Sequence, residues 1–453
     1  MRIGLLGAGT VGAAFCDLLQ ARGPELTDRL HEPLELAAVV VRDAARPRRL
    51  ALPPSVAVTT DAARVVADPG IEVVVEATTA AVDALFPLAR TALARGASFV
   101  TANKSLVAAR GAELFTLARA GGGDLLFEAS VGATVPIVAT LQHALAAADI
   151  EGVAGVLNGS TNFLLARLDE GASFTEAVAE ARALGYLEAD PSDDVDGHDA
   201  ARKIAILASL VSGRAVAEAS VACRGLSGVG PGEVRLARAL GGALRLLAVA
   251  ERGADGRDDR AWVAPAVVPW DSPLASVHGA ANAVVIRSAG AGEVLVAGQG
   301  AGGAPTAQAL GGDVVMAALR RRAGARGPLG GWREAVAGAV PGMGRVPYAL
   351  RVEAGALGSA LAGRIAALTG VEATLALGDG ALGVTTTRLA ADDVEALRQR
   401  ILHLPAAEAV GPALVRWAGL GPAAAEGRGW WRVPITAPAA TSAPTLHAGR
   451  ERS

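Results

Sequence analysis

Six carboxylates, Glu188, Asp190, Asp193, Asp194, Asp196 and Asp199, fall within twelve residues, and Lys203 follows four positions after the last of them. A loop this acidic can hold a small molecule that carries an ammonium group. A lysine at its end can move a proton, because its surroundings can bring its pKa toward neutrality, which arginine does not allow. Asp199 and Lys203 stand four apart where an apolar helix is expected over 200–210, so both side chains lie on one face and can act as a pair. A solvated ion pair is the plainer use of that spacing, but the density of acids in a glycine-broken loop favours a site. A calcium loop is the competing use of the acids. Asp194, Asp196 and Gly197 match its third, fifth and sixth positions, yet Ser192 fills the first and Lys203 the twelfth, where a bidentate glutamate is required.

Lysine is otherwise almost absent. Of the 42 basic residues, only Lys104 and Lys203 are lysine. A composition driven toward arginine that spares two positions points to proton chemistry at those two.

These groups need a scaffold, and the N-terminal third supplies a recognisable one. A strand over Arg2–Leu6 runs into Gly7-Ala8-Gly9-Thr10-Val11-Gly12 and then into an apolar helix through Leu19. In such a unit Gly7 makes the tight turn and Gly9 lets backbone approach a pyrophosphate. Gly12 allows close packing of helix and strand, with the phosphates over the helix N-terminus. A second strand, Leu34–Val41, ends at Arg42-Asp43, where the fold reads the adenosine ribose. Strand residues alternate, so only one of these two side chains can face the ribose if the strand continues through them. A third strand, Ile71–Glu76, ends in Ala77-Thr78-Thr79, and a fourth, Ser98–Thr101, ends in Asn103-Lys104. Open parallel sheets bind ligands beyond the carboxyl ends of their strands, which puts Thr78 and Lys104 near the cofactor and substrate. A fifth strand is expected over Leu125–Ala129.

Beyond about residue 145 the strand–helix alternation becomes irregular, and a second domain is expected to about residue 300. Its Gly155-Val156-Leu157-Asn158-Gly159-Ser160-Thr161-Asn162 segment fits either a plain turn or a substrate loop. After residue 345 the pattern strand, helix, strand, strand, helix, strand is the split βαβ, ferredoxin-like arrangement. From residue 419 the chain is rich in Ala, Gly, Pro and Ser and is expected to be a mobile tail.

Composition narrows the classes. The 453 residues are 51% hydrophobic, but no uninterrupted apolar run approaches the roughly 18 residues of a membrane span, and no secretory leader is apparent. A cytoplasmic location is expected. A net charge of −3 with mixed signs argues against nucleic acid as a partner. Cys16 and Cys223 read as small buried hydrophobes in helical surroundings.

The stretch Gly185-Tyr186 through Asp190-Pro191-x-x-Asp194-Val195-x-Gly197-x-Asp199-x-x-x-Lys203 closely resembles the signature of homoserine dehydrogenases. So do Gly7 to Gly12, Thr101-Ala102-Asn103-Lys104, Glu128 to Pro136, Gly159 to Asn162 and Gly298 to Ala307, in family order. The resemblance implies NAD(P)-dependent interconversion of L-homoserine and L-aspartate 4-semialdehyde, a step toward threonine, methionine and isoleucine. It makes Lys203 the proton donor, Asp199 and Lys104 its catalytic companions, and Glu188, Asp194, Asp199 and Lys104 the substrate contacts. For NADP or NAD it implies Gly7, Gly9, Thr10, Val11, Gly12, Arg42, Thr78, Lys104, Gly185 and Gly302. Glu128, with the backbone oxygens of Val131, Ala133 and Val135, matches the family's monovalent cation site, for Na⁺ or K⁺.

The fold it implies is α/β. A Rossmann-type doubly wound domain over 1–145 is re-entered by about 300–330, an α+β substrate and dimerisation domain spans 146–300, and an ACT-like ferredoxin-like unit spans 345–418. A homodimer or homotetramer follows from that class. The alternatives are another NAD(P)-dependent amino-acid dehydrogenase, or a dinucleotide-sensing regulatory protein without turnover. The family's Arg-x-x-x-x-x-Arg spacing matches Arg42 to Arg48, and Arg46 and Arg49 add positive potential, so NADP(H) is expected to bind at least as tightly as NAD(H). In the ACT-like unit, Glu353-Ala354-Gly355-Ala356-Leu357-Gly358 keeps only a loose version of the usual effector-binding turn, so feedback by threonine is expected to be weak.

Overall fold

The computed structural model describes residues 1–45, 52–253, 259–334, 343–354, 358–377, 379–404 and 407–416. Arg46, Arg48, Arg49, residues 355–357 of the effector turn and the tail from 419 lie outside the described residues.

Six strands form the first sheet: β1 Arg2–Leu6, β2 Glu35–Val40, β3 Ala57–Thr59, β4 Val73–Glu76, β5 Ser98–Thr101 and β6 Leu125–Leu126. They are parallel and ordered β3-β2-β1-β4-β5-β6, so the topological switch lies between β1 and β4. Helices α1 Thr10–Leu30, α2 Ala62–Ala67, α3 Val82–Ala94 and α4 Lys104–Gly121 make the crossovers. Apart from Arg2 at the start of β1 and Glu76 at the end of β4, these two strands are apolar without alternation, as a sheet covered on both faces requires. The three-residue β3 and short α2 were not foreseen, since a half-exposed Ala-Val-Thr on a sheet edge is too short to show a period.

Two expectations need correction here. β2 stops at Val40, so Arg42 and Asp43 lie in the following turn, where the Asp43 carboxylate accepts the Ala45 N–H at 2.9 Å. Strand alternation therefore does not decide between them. The fifth strand also ends early, because the chain turns into a short 3₁₀ segment, Glu128–Ser130, and the Glu128 N–H is taken by Asp313 at 3.0 Å.

The second sheet contains β7 Ile150–Val156, β8 Ala222–Cys223, β9 Gly242–Glu251, β10 Arg260–Pro269, β11 Ala281–Ser288 and β12 Gly292–Gln299. It continues with β13 Val346–Ala354, β14 Val371–Ala376, β15 Leu382–Leu389, β16 Ala407–Val410 and β17 Leu414–Arg416. Its order is β12-β11-β7-β9-β10-β17-β13-β15-β14, with β16 paired to β13 and β8 to β10. The C-terminal strands are thus joined to the central ones through the parallel β10–β17 pair. Cys223 lies on β8 and is exposed, not on an apolar helix; Cys16 is buried in α1.

The remaining helices are α5 Ile137–Ala139, α6 Gly159–Asp169, α7 Phe174–Ala183, α8 Ser192–Val195, α9 His198–Ser212, α10 Pro231–Ala239, α11 Gly303–Arg322, α12 Gly358–Ala366 and α13 Ala391–Leu402. α9 is buried nearly all round, through Ala200, Ala201, Ile204, Ala205, Ile206, Leu207, Ala208 and Val211, whose removal from water anchors it at roughly 25 cal/mol per Å². α11 returns to the first sheet and runs parallel to α1. Its start touches Thr10, where a Gly303 Cβ would stand 2.9 Å from the Thr10 methyl, and its end donates from Arg322 to the Leu30 carbonyl at 2.7 Å. Among the described residues no helix is long and apolar enough to cross a membrane.

Candidate active site

At the switch point the glycine turn is tightly built. Gly7 has φ 98°, and a Cβ there would meet the Thr78 methyl at 2.6 Å and the Ala77 carbonyl oxygen at 2.7 Å. A Cβ on Gly12 would stand 2.0 Å from the Gly7 carbonyl oxygen, whereas one on Gly9 would meet nothing within 4 Å. Two of the glycines are therefore required by the protein itself, and Gly9 faces open space at the N-terminus of α1. That division predicts a measurable contrast. Gly12→Ala should lower stability by about 1–3 kcal/mol through overpacking and weaken NAD(P)H binding together. Gly9→Ala should leave urea stability unchanged and weaken binding alone. Equal stability losses in the two variants would contradict the assignment.

Gly302, at φ 121°, caps the start of α11 beside Thr10, so a second helix N-terminus lies at the same place as that of α1. Val11 is half-buried in the first turn of α1. Arg42 is exposed beyond β2. Gly185, at φ 76°, follows the end of α7, and its N–H donates to the Arg182 carbonyl at 3.0 Å.

Both lysines of the chain meet at one carboxylate. Lys203 Nζ lies 2.8 Å from Asp199 Oδ2, and Lys104 Nζ lies 2.9 Å from Asp199 Oδ1. Lys104 is the first residue of α4, placed at the end of β5 by the Asn103 cap, whose Oδ1 accepts the Leu106 N–H at 2.8 Å. Asp199 and Lys203 are successive turns of α9, as their spacing requires. Burial alone would push the Asp199 carboxyl up. The Lys203 and Lys104 ammonium groups and their hydrogen bonds outweigh it and hold that carboxyl well below the usual carboxylate range. Lys203 Nζ also donates to the Leu157 carbonyl at 2.8 Å, and its side chain is 11% exposed against 33% for Lys104.

The Gly155–Asn162 segment belongs to this centre. β7 ends at Val156, and Asn158 caps α6 by accepting the Thr161 N–H at 2.9 Å. Its side-chain amide donates to Asp194 at 2.6 Å and to Asp199 at 3.0 Å. Burial pushes the Asp194 carboxyl up, while the Asn158 hydrogen bond opposes that shift. Asn282 on β11 donates to the same Leu157 carbonyl at 3.1 Å. The sequence marked the segment holding Leu157 and Asn158 as a turn or substrate loop without giving either residue a role, and Asn282 was not singled out; an asparagine before a Gly-Ser-Thr run is a recognisable helix cap.

The six acids divide. Only Asp194 and Asp199 face the lysine centre; Asp193 pairs with Arg202, Asp190 accepts the Ser192 N–H, and Asp196 accepts from Ser227. Glu188 is exposed and makes no ion pair or side-chain hydrogen bond among the described residues. The density that drew attention thus serves loop turns as well as the site.

The two Glu128 oxygens accept the Val138 and Ala139 N–H groups at 2.9 and 2.6 Å, and burial nonetheless pushes this carboxyl up to about 7. Beside it Ala133 adopts a left-handed φ of 49°, rare for a residue with a Cβ. The buried Val131 and Ala133 carbonyls accept no hydrogen bond among the described residues, while that of Val135 accepts the Ile137 N–H at 2.8 Å.

Known proteins similar to this chain fall in one family. The family model for homoserine dehydrogenase matches residues 136–315, and that for the homoserine dehydrogenase NAD-binding domain matches residues 7–128. The homoserine dehydrogenase of Corynebacterium glutamicum is 41% identical over 330 residues, 72% of this chain and 74% of that protein. The crystal structure of a homoserine dehydrogenase from Thiobacillus denitrificans superposes with TM-score 0.81 at 32% identity, covering 92% of this chain and 98% of that one. A hyperthermophilic archaeal homoserine dehydrogenase solved in complex with NADPH superposes with TM-score 0.58 at 26% identity, over 70% of this chain and 98% of that one. With a dinucleotide turn, a paired-lysine carboxylate and these relatives, the chain belongs to the homoserine dehydrogenase family.

Proposed function

We propose that the chain interconverts L-homoserine and L-aspartate 4-semialdehyde at the Lys104–Asp199–Lys203 centre. The convergence of both lysines on one buried carboxylate carries this reading. When bound, the nicotinamide supplies or takes the hydride. In the reducing direction Lys203 gives a proton to the aldehyde oxygen, and its positive charge stabilises the alkoxide that develops there. Asp199 and the Leu157 carbonyl hold Nζ in place; Asp199 also orients Lys104, which stands between the strand ends and the substrate. Asp194, fixed by Asn158, receives substrate polar groups, and Glu188 binds the ammonium group by moving inward from its exposed position. Purified protein given L-homoserine and NADP or NAD should raise absorbance at the reduced nicotinamide band; no turnover with either cofactor would overturn the reading.

Gly7, Gly9, Thr10, Val11, Gly12, Thr78, Gly185 and Gly302 form the cofactor surface. The open space at Gly9 and the two helix starts beside it support a diphosphate there. Arg42 pairs with the 2′-phosphate, aided by Asp43 being turned onto its own loop. NADP(H) should therefore bind at least as tightly as NAD(H), and Arg42→Ala should weaken NADP(H) alone. Titration of both cofactors on both proteins checks this, and unchanged NADP(H) affinity in the variant would remove Arg42 from the site.

Glu128 with the Val131, Ala133 and Val135 carbonyls holds a monovalent cation. The idle carbonyls and the strained Ala133 support it, since a cation would give them a partner and keep Glu128 ionised.

Residues 1–145 with 300–330 form the dinucleotide domain, 146–300 the substrate and dimerisation domain, and 345–418 an ACT-like unit. The antiparallel order β17-β13-β15-β14, with α12 and α13 as crossovers, supports the last. The protein works as a dimer or tetramer in the cytoplasm. Millimolar threonine should inhibit little; strong inhibition lost on deleting residues after 345 would contradict this.

A further inference from the structure

Glu76 ends β4 as its one charged residue, and its side chain is wholly buried. Burial pushes its carboxyl up, and hydrogen bonds from Thr101 and Thr78 oppose that. No ion pair reaches it among the described residues. Three donors do. Oε1 accepts the Thr78 N–H at 2.7 Å and the Thr78 hydroxyl at 2.6 Å, and Oε2 accepts the Thr101 hydroxyl at 2.6 Å. Each hydroxyl passes the connection on. Thr78 Oγ1 accepts the Ala80 N–H at 3.2 Å, and Thr101 Oγ1 accepts the Asn103 N–H at 2.9 Å. Asn103 in turn donates to the Ala80 carbonyl at 3.1 Å and caps the helix that begins with Lys104.

The carboxylate therefore ties together two loops that belong to different strands. One carries Thr78, which touches Gly7 of the dinucleotide turn; the other delivers Lys104 to Asp199. An apolar residue would fill the same space, and the strand is otherwise valine, so core packing alone does not call for a glutamate here. A carboxylate, an acceptor on both oxygens, satisfies donors from both loops at once.

We infer that Glu76 is a positioning residue for the reaction: it fixes the spacing between the dinucleotide turn and Lys104, and through Lys104 the geometry of the Asp199–Lys203 pair. The inference rests on the proposed reaction, since it assigns Glu76 no role apart from that centre. Displacements of about 1 Å remote from the chemistry can cost on the order of 10²-fold in rate, so a substantial effect on turnover is expected from a residue that touches no substrate.

The test uses the full-length enzyme and homoserine oxidation. Glu76→Gln keeps the shape but replaces one acceptor with a donor facing the Thr101 hydroxyl. It should lower kcat about tenfold or more per folded molecule, with the NADP dissociation constant changed less than threefold. Thr101→Val and Thr101→Ser form the second pair: valine removes the hydroxyl and should lower kcat at least threefold, while serine keeps the hydroxyl and should restore it. Thermal unfolding of each variant measures the folded fraction. Turnover of Glu76→Gln within twofold of wild type, or equal turnover of the Val and Ser variants, would overturn the inference. Should Glu76→Gln fail to fold, the Thr101 pair decides. An inactive wild type would instead sink the proposed reaction, so the two failures are distinguishable.

Discussion

Lys203→Arg is expected to fold, to bind cofactor with unchanged affinity, and to lose turnover by about 10²- to 10⁴-fold, the usual contribution of a positioned general acid. The guanidinium keeps the charge but does not release a proton near neutral pH. Its planar fork also does not match the two acceptors that hold Nζ, Asp199 Oδ2 and the Leu157 carbonyl, each at 2.8 Å. Single-turnover measurements with preformed enzyme–cofactor complex separate this from a binding defect. Each tenfold loss corresponds to 1.36 kcal/mol of transition-state stabilisation. A variant that kept more than about a third of wild-type turnover would remove the proton-donor role from Lys203.

Asp199→Asn should be nearly as damaging to turnover, by about 10²-fold, and should also cost stability. It is isosteric, but it leaves two ammonium groups without the anion they share. Removing one partner of a buried ion pair typically costs about 3–5 kcal/mol, and the lower end applies because Lys104 is one-third exposed and can turn toward water. The pH dependence has a definite sign. The Asp199 carboxyl is held below its unfolded-state value, so its ionisation stabilises the fold at every pH above about 4 and that contribution fades as pH falls through the lower folded value. Urea unfolding of wild type and variant should therefore differ by a constant amount from pH 5 to 7, and the gap should close in acid. A gap that widened below pH 4 would contradict the assigned ion pairs.

The doubly wound sheet was legible because most of its strands are continuous apolar runs, and because Gly7, Gly9 and Gly12 keep the spacing of a dinucleotide turn, in which Gly7 and Gly12 are held to close backbone contact and Gly9 faces open space. The Asp199–Lys203 pair was legible for a similar reason, since helical spacing fixes which side chains share a face. Lys104 was flagged by scarcity and by its place at a strand end, but its direct ion pair with Asp199 spans 95 residues and has no local signature. Leu157 and Asn158 lie in a segment that fitted a turn or a substrate loop alike, and Asn282 carried no mark at all, because each acts through a contact made only when β7, β11 and α9 come together. Glu76 was visible as a charge ending an apolar strand, yet its bond to Thr101 reaches the end of a different strand and has no local signature. The acidic cluster misled in the opposite direction, because Asp190 satisfies a turn, Asp193 an arginine and Asp196 a distant serine hydroxyl in the same run as the site residues. Arg42 and Asp43 show the limit of period arguments at a strand end, where one residue more or less of regular structure decides which way a side chain points.

The meeting of both lysines at one carboxylate makes the protein its own spectroscopic probe. Chains of this length ordinarily carry dozens of ammonium side chains, and resonances from a catalytic one are lost among them. Here a sample grown with isotope-labelled lysine would give two side-chain signals, both from the same few ångströms of the molecule and each distinguished by its exposure. Titrating such a sample with homoserine or cofactor would follow the reacting centre directly, with no background to subtract and only one substitution needed to tell the two signals apart.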